Sequence, residues 1–84
     1  MGARKRVELG EYVVSDPEIC HGQLTFKGTR IMVKSVLFFV GQGKDWDWIS
    51  KEYFGKVSRD AVAEAVKLAS EALVEKTEGR SRVA

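Results

Sequence analysis

The sequence is poor in residues that staple or kink a chain: one cysteine, one proline and one histidine among 84 residues. A lone thiol, Cys20, excludes an internal disulfide and makes a reducing compartment the expectation. One Cys and one His fall short of the roughly four ligands of a zinc centre, so no metal site is expected. There is no run of about 20 apolar residues, which excludes a helix crossing a membrane. The longest apolar run, Val36-Leu37-Phe38-Phe39-Val40, reads as a core segment. No apolar stretch of secretory type follows the basic Arg4-Lys5-Arg6, so the cytoplasm is the expected location. The chain also lacks a phosphate-cradling glycine loop, a carboxylate dyad and a nucleophile with a placed base. No catalytic residue and no cofactor are expected, and the chain reads as a non-enzyme.

A length of 84 residues means one domain, which buries roughly 60% of the surface its unfolded chain exposes. Such a small core suits a binding or regulatory module. The net charge is +2, and the surplus is confined to residues 1–34. There, Arg4, Lys5, Arg6, Lys27, Arg30 and Lys34 face Glu8, Glu11, Asp16 and Glu18. Residues 35–56 and 57–84 are each balanced. Two readings follow: an ordinary surface with a solvated basic tail, or a tail that meets phosphates together with Lys27, Arg30 and Lys34.

The pattern along the chain predicts a basic flexible arm over 1–10, one domain over 11–75 and a flexible tail over 76–84. Tyr12-Val13-Val14-Ser15 reads as a strand; Val7 and Leu9 alternate with Glu8, which favours an earlier start, but Gly10 weakens that stretch. Asp16-Pro17 opens a turn, and Ile19 is expected to point inward. Leu24-Thr25-Phe26 reads as a second strand with Leu24 and Phe26 on one face, and Gly28 marks a turn or bulge. A first helix is expected over about Lys34 to Gln42, since Val33, Val36, Leu37 and Val40 follow the i, i+3, i+4, i+7 spacing. Gly41-Gln42-Gly43 stops it. A second helix is expected from about Asp45 or Trp46 to Tyr53, with Asp45 as its N-cap. The third and longest begins at the N-cap Ser58 and ends near Glu75. It carries two apolar stripes (Val62, Val66, Ala69, Leu73 and Ala61, Ala65, Leu68, Ala72) and an outer face of Arg59, Glu64, Lys67 and Glu71. The sum is a mainly α fold: a short β-hairpin followed by three helices in a helix-turn-helix arrangement.

The most distinctive stretches are Ser15-Asp16-Pro17-Glu18-Ile19-Cys20-His21-Gly22 and Phe26-Lys27-Gly28-Thr29-Arg30-Ile31-Met32-Val33. With the Gly41-Gln42-Gly43 stop, the Tyr53-Phe54 end and the Ser58-Arg59-Asp60-Ala61-Val62 opening, they resemble the domain-of-unknown-function family 433 over roughly residues 12–73. Members of that family are often described as VapB-type antitoxins. The resemblance implies a homeodomain-like helix-turn-helix fold behind the β-hairpin, and partnership with a PIN-like ribonuclease toxin. The sequence departs from the family pattern at Leu24, where proline is common.

For Arg30 two readings stand: a guanidinium offered to a phosphate or partner carboxylate, or an internal ion pair with Asp16 or Glu18. Adjacent Cys20 and His21 point apart on an extended strand, which argues against a nucleophile–base pair. A turn would relax that geometry, and His21 is expected to hydrogen-bond within the turn. The candidate DNA contacts are Arg4, Lys5, Arg6, Lys27, Arg30, Lys34, Arg59 and Lys67. The third helix is a poor base reader, because Asp60 and Glu64 accompany Arg59 and Lys67. Phe38, Phe39, Trp46, Trp48, Tyr53 and Phe54 are six of the eight aromatic residues. A core this small cannot hide them all. Phe38, Phe39, Trp46, Trp48 and Phe54 are therefore candidates for a protein interface, unless the β element covers them. The expected function is a small VapB-like regulator that binds a PIN-like toxin, itself as a homodimer, or both, with DNA as a further partner. Arg80 and Arg82 are candidates to reach toxin carboxylates. The alternative is a stand-alone helix-turn-helix transcription regulator.

Overall fold

The computed structural model describes the backbone of residues 5–83 and the side chains of residues 5–77. Arg4 and the side chains of Arg80 and Arg82 lie outside the described residues. The elements are strands β1 (Val7–Glu8), β2 (Val13–Ser15) and β3 (Leu24–Phe26), and helices α1 (Val33–Gly41), α2 (Trp46–Glu52) and α3 (Arg59–Val83). One turn of 3-10 type over Cys20–Gly22 separates β2 from β3.

The strands form an antiparallel sheet in the order β1-β2-β3. The expected hairpin is thus extended by one strand: Val7 and Glu8 pair with Ser15 and Val14, so this part of the basic arm is fixed to the sheet. On the other side, Val13, Val14 and Ser15 pair with Phe26, Thr25 and Leu24. Leu24 and Phe26 share one face of β3, as expected for alternate strand residues, but the two differ in burial. Phe26 is buried, but Leu24 is exposed and Thr25 is fully buried. Val14 and Thr25, directly paired, are both buried, so the sheet is covered on both faces.

The core joins Val13 and Phe26 from the sheet, Val33 and Val36 from α1, Ile49 from α2, Val57, and Ala61, Val62 and Ala65 from α3. The small alanines bring α3 close to its neighbours. Capping explains the helix ends. Asp45 accepts the Trp48 N–H at 2.7 Å, and Ser58 Oγ accepts the Ala61 N–H at 3.1 Å, each satisfying a donor that the first turn leaves orphaned. Helix α1 closes in a Schellman motif: Lys44 N–H donates to Phe39 O at 3.1 Å and Gly43 N–H to Val40 O at 3.0 Å. Gly43 sits at φ +87°, the left-handed position where glycine carries no Cβ penalty.

Helix α3 runs to Val83, well beyond the end expected near Glu75, so the tail predicted from residue 76 is helical through 83. Its first three turns are packed; from Ser70 through Thr77 every side chain is exposed, including Leu73 and Val74. The radius of gyration, 14.2 Å, exceeds the roughly 12 Å of a compact chain this long because this half projects from the body.

Candidate functional site

The aromatic residues divide into two groups. Trp46, Phe39 and Tyr53 pack partly buried against the core. Phe38, Trp48 and Phe54 stay exposed, at 62%, 38% and 90%. Trp46 and Phe39 therefore serve the core side of the surface they were expected to form. Phe39 is the hub: its ring stands edge-on to Trp48 at 5.2 Å, Phe38 at 6.0 Å and Tyr53 at 6.3 Å. Such T-shaped pairs suit the ring quadrupoles and fix the rings as one surface. Lys34, Ser35, Phe38, Phe39 and Tyr53 line a shallow groove of about 440 Å³. Lys44 Nζ lies 4.8 Å from the Trp48 ring centroid, a cation–π contact at the edge of the cluster. Burial pushes the Tyr53 phenol above its ordinary pKa, with Glu52 adding to the shift.

Phe54 is the least ordinary member. Helix α2 also ends in a Schellman motif, with Gly55 N–H donating to Ser50 O at 2.8 Å and Phe54 N–H to Lys51 O at 3.0 Å. The left-handed position that Gly43 fills in α1 is here filled by Phe54, at φ +57°. A bulky side chain there costs roughly 1–2 kcal/mol. Burial of the ring offsets none of this, because the ring projects into solvent.

The basic candidates are scattered, and several are neutralised. Arg6 bonds Glu8 at 3.0 Å and reaches Asp16 at 3.8 Å. Lys27 pairs with Glu8 at 3.2 Å, and that hydrogen bond holds the Glu8 carboxyl below its ordinary pKa. Arg59 reaches Asp47 at 3.6 Å, linking α2 to α3. Among the described residues Lys5, Arg30, Lys34, Lys56 and Lys67 have no carboxylate partner. The internal pair expected between Arg30 and Asp16 or Glu18 does not form; Arg6 occupies Asp16 instead.

The turn that carries Arg30 is tightly built. Thr29 N–H donates to Phe26 O at 3.0 Å. Thr29 Oγ1 donates to the same oxygen at 2.8 Å and accepts from Ile31 N–H at 3.0 Å. Gly28 sits at φ +77°, the conformation such a turn requires at its third position. The Cys20-His21-Gly22 turn braces it. All three residues are left-handed, at φ +51°, +58° and +83°, which replaces the extended geometry read for Cys20 and His21. Ser15 Oγ donates to Gly22 O at 2.7 Å, and the Cys20 thiol donates to Arg30 O at 3.7 Å. His21 itself is exposed. Among the described residues no three His, Cys, Asp or Glu side chains gather as a metal site.

Glu64 is the residue that sequence reasoning misplaced. It does not belong to an outer face. Its Oε1 accepts from Glu11 N–H at 2.9 Å, and its Oε2 from Tyr12 N–H at 2.8 Å and Val13 N–H at 3.0 Å. Three successive backbone donors form a nest around one carboxylate. A side chain at Gly10 would meet that carboxylate at 2.6 Å. The signal was present in the sequence: Glu64 occupies the i+3 position of the Ala61, Ala65, Leu68 stripe. Tyr12, at the nest, has its phenol pKa raised, chiefly by the Glu11 charge.

Comparisons with known proteins fit this architecture. The crystal structure of Rv2018 from Mycobacterium tuberculosis is similar, with a TM-score of 0.57 at 30% identity, over 64% of this chain and 24% of that one. The chain thus spans about a quarter of that protein's length. No curated protein matches it. The model of one family, described as a protein of unknown function (DUF433), matches residues 13–69, from β2 through the packed part of α3. Since this is well over half of the sequence, the chain belongs to the DUF433 family.

Proposed function

We propose that the chain is a regulatory module that docks a polypeptide partner through the exposed rings of Phe38, Trp48 and Phe54. The resemblance to VapB-type antitoxins makes a PIN-like ribonuclease toxin the partner to test first, and a second copy of the chain the next. The observation that supports this reading is Phe54: a bulky ring, 90% exposed, at a left-handed position that favours glycine. Glycine would cap α2 equally well, so a phenylalanine kept there at a backbone cost points to function. An exposed aromatic anchor is a usual centre of binding energy at protein interfaces.

The test is calorimetry between this chain and the product of the neighbouring reading frame. A complex should form, and the double substitution Phe38→Ser, Phe54→Ser should weaken it by at least about 30-fold, corresponding to loss of a single hot spot of roughly 2 kcal/mol. Both side chains are exposed, so circular dichroism should be unchanged. A complex that ignores the double substitution contradicts the reading, as does the lack of any complex at micromolar concentration.

A stand-alone homeodomain-like DNA binder is the second reading, favoured by the unpaired Lys5, Arg30, Lys34 and Lys67. In it α2 and α3 would be the helix-turn-helix pair. Glu64 no longer opposes that reading, since its carboxylate is taken by the β1–β2 connection, but Asp60 and Glu71 remain exposed on α3. Salt-dependent retention on DNA that falls when Arg4, Lys5 and Arg6 are deleted would favour it; indifference to the deletion removes the arm's role.

A further inference from the structure

A second surface feature, separate from the aromatic residues, is an open depression near the Arg30 turn. Ile19, Gly28, Thr29, Arg30, Ile31 and Lys56 line this depression of about 880 Å³. Two of the six are cations, and among the described residues no carboxylate lines it or pairs with either one. We propose that this depression binds an acidic segment of a polypeptide, with carboxylates held by Arg30 and Lys56 and an aliphatic side chain seated between Ile19 and Ile31.

The turn is organised to present Arg30. Its carbonyl is tied to the Cys20 thiol, and its neighbours are locked by the two hydrogen bonds of Thr29 Oγ1. Among the described residues the guanidinium has no partner, which leaves its five donors for a ligand, in a fork that matches a carboxylate. The Gly28 and Arg30 N–H groups make no hydrogen bond within the described residues. A Cβ at Gly28 would meet nothing within 4 Å, so the floor of the turn is open to a ligand. A polypeptide is favoured over nucleic acid on two counts. Two cations are far fewer than the roughly six or more phosphate contacts of a typical DNA interface, and Arg6, Lys27 and Arg59 are already held by carboxylates. Isoleucine walls also suit an aliphatic side chain better than a sugar-phosphate backbone.

The proposal rests on the reading of the chain as a polypeptide-binding module, but on a different surface, so the two fail separately. The probe is a capped Glu-Asp-Leu-Glu-Asp peptide titrated into the full chain and followed by amide chemical shifts. The expected result is a response confined to Gly28, Thr29, Arg30, Ile31 and Lys56, saturating with a Kd on the order of 1 mM. Arg30→Ala should abolish saturation, and Lys56→Ala should weaken it several-fold. Both side chains are exposed, so the fold is retained in each. Phe38→Ser, Phe54→Ser should leave the peptide response intact, which separates this site from the exposed aromatic rings. Three results overturn the proposal: no response, a response spread over Lys5 and Lys67 that survives Arg30→Ala, or a DNA duplex that perturbs these amides while the peptide does not.

Discussion

Removal of the Glu64 carboxylate tests how the sheet is fastened to the helices. Glu64→Ala deprives three successive N–H groups of their acceptor, at 2.8 to 3.0 Å. A hydrogen bond to a charged group contributes about 1.5–3 kcal/mol, but the three share one carboxylate and water can reach the exposed Glu11 end. The expected loss is therefore about 2–4 kcal/mol, not the sum. Glu64→Gln should lose about half as much, because one oxygen remains while its NH2 group faces a donor. Urea unfolding measures both. Gly10→Ala supplies an internal control, since the nearest atoms a Cβ would meet are all Glu64's, at 2.6 to 2.8 Å. It should destabilise the native chain by about 1 kcal/mol or more and be nearly silent beside Glu64→Ala, where the obstructing group is gone. If Glu64→Ala stays within about 0.5 kcal/mol of the native chain, or if the two substitutions add, the nest is not what holds the N-terminal strands.

Thr25→Val should stabilise the protein by about 1 kcal/mol in the same assay, since the Thr25 hydroxyl is fully buried and has no hydrogen-bond partner among the described residues. Phe54→Gly should raise stability by about 0.5–1 kcal/mol by relieving the left-handed backbone, while lowering partner affinity; thermal unfolding and calorimetry should move in opposite directions. The Glu8 carboxyl has a lowered pKa in the folded chain. Its contribution is thus complete above the unfolded pKa and is lost as pH falls through the folded one. A carboxyl NMR titration should show its midpoint rising in Lys27→Met, because the Lys27 hydrogen bond is the leading cause.

Short-range signals explain what the sequence made legible. Asp45 and Ser58 cap helices a few residues away, and Gly43 ends α1 through its own backbone freedom. The stripe from Val33 to Val40 located α1 to within one residue at either end. Interactions between distant positions were hidden. Glu64 bonds partners more than fifty residues away, and its charge suggested solvent. Arg6, in an arm read as flexible, takes the Asp16 partner expected for Arg30, which leaves Arg30 free. The pairing of Val7 and Glu8 was masked by Gly10, whose lack of a side chain in fact makes room for Glu64. Phe54 was read as an interface aromatic at the end of the second helix. That it fills a glycine-type position became visible only with the backbone angles.

The proposed docking would cover the exposed rings of Phe38, Trp48 and Phe54 with a partner polypeptide. Hydroxyl-radical footprinting of the chain, alone and with the product of the neighbouring reading frame, measures this directly. All three side chains should be heavily labelled in the free chain and strongly protected in the complex, with His21 labelled equally in both. Equal labelling of Phe38 and Phe54 with and without a bound partner would contradict the proposed docking.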